Sequence, residues 1–149
     1  MVTVITCITS GVWMEADGQV KRRVVALVTD MIFATKIRST AVALGIPIDI
    51  VRSNDAFAAA VGRGPVALAI VDMDADCDAA AAVGCARERM KTSSENGEDG
   101  VVLAYCSHVD VGAAAAAKQA GADVVWPRSR FSAMLAEVLS DPSLLRGGG

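Results

Sequence analysis

A chain of 149 residues, 53% hydrophobic and 4% aromatic, has the length of one domain, enough to bury about 70% of the surface its unfolded form exposes. A formal net charge of −3 argues against a direct nucleic-acid footprint, and no window approaches the ~20 consecutive apolar residues that a membrane-spanning helix needs. Much of the apolar content is alanine, which suits helices packed closely on a sheet rather than a core of bulky side chains.

Residues 1–13, MVTVITCITSGVW, lack a basic lead and are broken by Thr, Ser and Gly, so they do not read as a signal peptide. Residues 1–22 are expected to be an extension: an added edge strand, or an over-long start with Met14 as the true beginning. Lys21 to Arg23 form a basic lead-in to a short buried strand, Val24 to Thr29, that ends at Asp30. A helix follows, with Ile32, Ala34, Ile37, Ala41 and Leu44 on its inner face and Gly45 and Pro47 as its stop. Ile46 to Val51 is a second strand. Ser53, Asn54 or Asp55 caps the next helix, which Gly62 and Gly64 end.

The stretch from Val66 to Asp78, VALAIVDMDADCD, runs from six apolar residues into four acids at every second position. An apolar run without polar alternation suits a strand covered on both faces, and its acid-rich end would then open into a loop. A helix from about Asp78 to Met90 turns Val83, Ala86 and Met90 inward. Lys91 to Gly100, KTSSENGEDG, has the composition of a solvated loop. Val101 to Cys106 is a fourth strand, Val111 to Ala120 an alanine-rich helix stopped by Gly121, and Ala122 to Trp126 a fifth strand broken by Pro127. Ser129 or Ser132 caps a last helix with Phe131, Met134, Leu135, Val138 and Leu139 inward, and Asp141 to Gly149 reads as a flexible tail.

Five strands, each followed by a helix, predict an α/β, flavodoxin-like, doubly wound parallel sheet with helices on both faces over residues 23–140. The expected order is 2-1-3-4-5 from the strand at Val24. It sets the first and third strands side by side at the topological switch point, where Asp30 and Asp72 face one another across the crevice. Two like carboxylates so placed raise each other's pKa and call for a cation.

Here the chain resembles the receiver domain of two-component response regulators, over about residues 23–139. The resemblance rests on VVALVTD, VALAIVDMD and VVLAYCS at the ends of the first, third and fourth strands, and on AKQAGADVVWP, which is similar to the receiver pattern A-x-x-A-G-A-x-x-x-x-K-P. It implies that Asp72 accepts phosphate and that magnesium is held by Asp30, Asp72 and the carbonyl of Asp74; an ion of this kind keeps several waters beside a few protein oxygens. The chain also departs from the pattern. Thr29 stands where receivers carry a first acid, and Trp126 where they carry the lysine before proline, with Arg128 the nearest cation. The switch hydroxyl falls on Cys106 when counted back from Ala120-Gly121-Ala122, and on Ser107 with a shift of one residue.

Competing readings of the same residues are weaker. With Asp72 as the first position of a calcium loop, the required Gly falls on Cys77 and the bidentate Glu on Val83. A haloacid-dehalogenase-type phosphatase would use Asp72 as nucleophile and Asp74 as acid/base, but carries that motif on its first strand. Ser107, His108 and Asp110 are neighbours on one loop and do not converge as a nucleophilic triad. Cys7, Cys77, Cys85 and Cys106 with the single His108 lack zinc spacing, and unpaired thiols suit a reducing cytoplasm. The expectation is a cytoplasmic, stand-alone signalling domain that is not an enzyme. It would meet a sensor kinase or another signalling protein through the fourth strand, fourth helix and fifth strand. It would be either phosphorylated at Asp72 or a phosphorylation-independent pseudo-receiver.

Overall fold

The computed structural model describes residues 5–8, 12–15, 20–21, 23–63, 66–74, 78–92, 100–106, 111–141 and Leu145. Near the N-terminus β1 (Ile5–Ile8), β2 (Val12–Glu15) and β3 (Val20–Lys21) pair antiparallel in a sheet of their own; none of them joins the parallel sheet as an edge. The remainder alternates: β4 (Arg23–Leu27), α1 (Met31–Leu44), β5 (Ile48–Val51), α2 (Asn54–Val61), β6 (Val66–Asp72), α3 (Ala79–Thr92), β7 (Val101–Cys106), α4 (Val111–Ala120), β8 (Val124–Pro127) and α5 (Arg128–Ser140).

The five strands from β4 onward form an all-parallel sheet ordered β5-β4-β6-β7-β8, the order 2-1-3-4-5 expected from the sequence. Period-two side-chain alternation divides each strand between two cores. Val24, Ala26, Leu68, Ile70, Leu103 and Tyr105 face α1 and α5. Val25, Leu27, Ala69, Val71, Val102 and Ala104 face α2, α3 and α4. The second core is lined by Ala60, Ala79, Ala82, Ala86 and Ala117, whose small side chains bring three helices close to the sheet. Among the described residues no helix is long and apolar enough to cross a membrane.

Local chemistry sets most boundaries. Asp30 caps α1 by accepting the N–H of Ile32 at 2.9 Å and of Phe33 at 3.3 Å, and Gly45 ends it at φ 71°, a left-handed conformation that costs other L-residues more. Ser53 caps α2 by accepting from Ala56, and Asp78 accepts from Ala81 in the first turn of α3. At α5, by contrast, Pro127 is the N-cap and supplies no side-chain bond. Ser129 and Ser132 lie inside this helix, not at its cap, because proline's fixed φ lets the helix start directly behind it.

Other positions also differ from the sequence pattern. The buried stripe of α1 is Phe33, Ala34, Ile37 and Ala41, while Ile32 is 86% exposed and Leu44 is also exposed. Arg23, the last residue of the basic lead-in, is only 1% exposed. It donates to Asp49 at 2.7 Å and to the Ala60 carbonyl at 2.5 Å, tying β4 to β5 and α2. Burial lowers its pKa, and the Asp49 carboxylate opposes that shift. Leu145, within the segment expected to be a flexible tail, is 5% exposed and belongs to the core beside α1 and α5.

Candidate functional site

The carboxyl ends of β4 and β6 adjoin because Leu27 pairs with Val71, so each chain reaches its acid at the same edge of the sheet. Asp72 is the last residue of β6, opposite Tyr105 of β7, and the Met73 N–H donates to the Tyr105 carbonyl at 2.8 Å. Asp72 is consequently 1% exposed. The half-exposed Asp30 stands three residues beyond β4, at the start of α1.

Arg128, the first residue of α5, returns its guanidinium to this edge. Nη1 lies 3.4 Å from Asp30 Oδ2 and Nη2 lies 3.7 Å from Asp72 Oδ2. The guanidinium carbon sits 5.2 Å from the Phe33 ring centroid and 5.8 Å from that of Tyr105, within range of cation–π attraction worth about 0.5–2 kcal/mol. Those rings are themselves fixed. Phe33, Tyr105 and Phe131 form a cluster with centroids 4.8–5.7 Å apart.

The predicted site residues divide accordingly. Asp30, Asp72 and Arg128 converge. Asp74 is exposed, and its N–H donates to Asp72 Oδ1 at 2.9 Å. Cys106 is buried at the end of β7. Ser107 lies outside the described residues. Trp126 does not occupy the crevice; it is half-buried against the core, with the Arg130 guanidinium 4.5 Å from its ring centroid.

Two participants escaped the sequence reading. Phe33 gave no signal beyond its place three residues after Asp30. Tyr105 gave one: a polar ring in the otherwise aliphatic run VVLAY, aligned with the acid of the adjacent strand. Its hydroxyl is buried and interacts with the Asp72 carboxylate, while Nε of Arg128 has no hydrogen-bond partner among the described residues.

Burial dominates the electrostatics. It raises the Asp72 pKa, against the lowering effects of the Asp74 N–H and the Arg128 charge. Burial, and then the Asp72 charge, push the Tyr105 phenol well above its ordinary value. Because Asp72 titrates higher in the folded chain, the native state binds more protons than the unfolded one between the two pKa values. Its contribution to stability therefore declines as pH rises through that window and stays unfavourable above it. Asp72→Asn is expected to be more stable than the parent at pH 7, with the difference vanishing in acid below the unfolded-state pKa; urea denaturation across pH measures this.

With Arg128 in place, the oxygens of both carboxylates are turned to protein groups. Asp30 Oδ1 accepts two backbone N–H groups, Asp72 Oδ1 accepts one, and both Oδ2 atoms face the guanidinium. Among the described residues no third acid, Cys or His joins them in a metal-ligating group. A cation needing near-octahedral oxygens would meet a fixed positive charge within 4 Å of both carboxylates.

The same fold occurs in response-regulator receiver domains. A CheY-like receiver domain protein from Methanospirillum hungatei JF-1 superposes with a TM-score of 0.69 at 13% identity, covering 87% of this chain and 99% of that one. A response regulator from Burkholderia pseudomallei, solved with a phosphorylated aspartic acid, a calcium ion and citrate, gives 0.63 at 14% identity over 83% of this chain and 74% of its own. An orphan response regulator of H. pylori gives 0.62 at 16% identity over 83% and 95%. No protein-family model and no curated protein matches the sequence; the likeness is one of fold.

Proposed function

We propose that this chain is a receiver-like signalling module that acts by contact with another protein and does so without phosphorylation of Asp72. The observation carrying this reading is the state of the Asp72 carboxylate. It is almost completely buried, with one oxygen taken by the Asp74 N–H and the other facing Arg128. In-line phosphoryl transfer needs an accessible oxygen for attack, and this carboxylate is 1% exposed. The pseudo-receiver keeps the receiver fold as a rigid scaffold and presents its surface to a sensor kinase or another signalling protein.

Phosphorylation at Asp72 is the second reading, favoured by one observation. A guanidinium that spans both carboxylates is also a cation suited to oxyanions, so Arg128 could pair with phosphoryl oxygens if it swung outward. Beryllofluoride with magnesium separates the two. The expected result is unchanged backbone amide shifts at residues 28–33 and 70–74; saturable changes that Asp72→Asn abolishes would establish the phosphorylatable form. Turnover of a small phosphate ester, lost in Asp72→Asn, would instead indicate the phosphatase that pairs Asp72 with Asp74.

A further inference from the structure

We infer that Arg128 is the resident cation of the acid crevice, that Phe33 and Tyr105 are positioning residues which hold it there, and that the crevice thereby excludes divalent metal. The inference rests on the site geometry used above but not on whether Asp72 is phosphorylated. Asp72 is buried and Asp30 half-exposed at the same edge, and the buried carboxylate needs a counter-charge, since it would otherwise sit unpaired in a poorly solvated place. The guanidinium reaches both, at 3.4 and 3.7 Å.

Arg128 directly follows the edge strand β8 and keeps 29% of its side-chain surface exposed, so solvent is available to it. What favours the inward position is the pair of ring faces at 5.2 and 5.8 Å. Phe33 is delivered by the first turn of α1, which Asp30 caps, so one acid both pairs with the guanidinium and orients the ring beside it. Tyr105 is delivered by β7 in register with Asp72. Acid and ring therefore arrive as two matched pairs, Asp30 with Phe33 and Asp72 with Tyr105, around one cation. Phe131 stacks on Tyr105 at 4.8 Å and keeps that ring from turning.

The test is a titration of the full chain with magnesium chloride, read by backbone amide shifts at residues 28–33 and 70–74, and repeated with manganese for paramagnetic broadening of the same signals. The parent should show only weak, non-saturating changes. Arg128→Met keeps an apolar stem over the rings and removes the charge; it should bind magnesium at least tenfold more tightly, with broadening centred on Asp30 and Asp72. Phe33→Leu, which leaves the charge and loosens its seat, should fall between the two, and Phe33→Tyr should behave as the parent.

Parent affinity equal to that of Arg128→Met would overturn the exclusion. Phe33→Leu identical to the parent would remove the positioning role. Should Arg128→Met fail to fold, Arg128→Gln, which also removes the charge, takes its place with the same expected result. A beryllofluoride response of the parent bears on the preceding proposal alone, because exclusion is judged from magnesium without any phosphoryl analogue.

Discussion

Phe131→Ala should destabilise the chain by about 3–5 kcal/mol, the range for deleting a large aromatic side chain from a packed core. Phe131 is fully buried between α5 and the sheet and touches both Phe33 and Tyr105. Removing it takes one wall from the aromatic cluster and leaves a void that neither neighbour can fill without leaving the Arg128 guanidinium. At roughly 2–4 °C per kcal/mol for a domain of this size, the melting temperature should fall by about 10 °C. Ile32→Ala is the matched control: an apolar residue of the same helix–helix neighbourhood, but exposed, with an expected change of about 0.5 kcal/mol or less. Thermal denaturation of the two variants side by side decides whether this cluster is a central support of the fold; equal losses would show that it is not.

Gly100→Ala is expected to cost about 3 kcal/mol, at the upper end of the range for overpacking. Gly100 is the buried residue just before β7. A Cβ built there overlaps the Val66 carbonyl oxygen and the terminal methyl of Met90, and stands 3.2 Å from the Ala67 carbonyl oxygen. The methionine end can swing aside. The carbonyl is backbone and less free to move, since it belongs to Val66, the first residue of β6, which pairs with Arg23 of β4. Relief therefore requires β6 and β7 to part at their starts. A urea midpoint unchanged from the parent would show that the two strands are less firmly joined than this.

Most of the fold was legible in the chain because hydrophobic periodicity reports burial directly. The bounds of Val101 to Cys106 and Val111 to Ala120 agree with β7 and α4 residue for residue. The errors arose where one interaction displaced a local rule. Serine is the better N-cap, but Pro127 had already begun α5 and left Ser129 and Ser132 inside it. Ala34, Ile37 and Ala41 of the expected α1 stripe are buried, but its two ends are not: Ile32 and Leu44 are exposed, and Phe33 packs in their place.

The acids of the crevice were legible for the same reason as the strands: each follows an apolar run, and parallel topology aligns such ends. The cation was named as well, as the nearest positive charge to the position where receivers carry lysine; its reach was not, because only the structure shows that the first residue of α5 directs its side chain back over the strand it has just left. Tyr105 and Phe33 were missed because a ring within an apolar pattern looks like core packing, and here it serves as both core and seat.

The crevice joins elements that are held to very different degrees. Its two acids follow β4 and β6, each flanked by a strand on both sides, while its cation follows β8, which has one neighbour and half-buried residues. Openings of a protein begin at such margins and leave the centre intact. The strand alone would hold this corner weakly; α5 makes up for it, since Phe131, Leu135, Val138 and Leu139 seat in the core the helix that carries the cation.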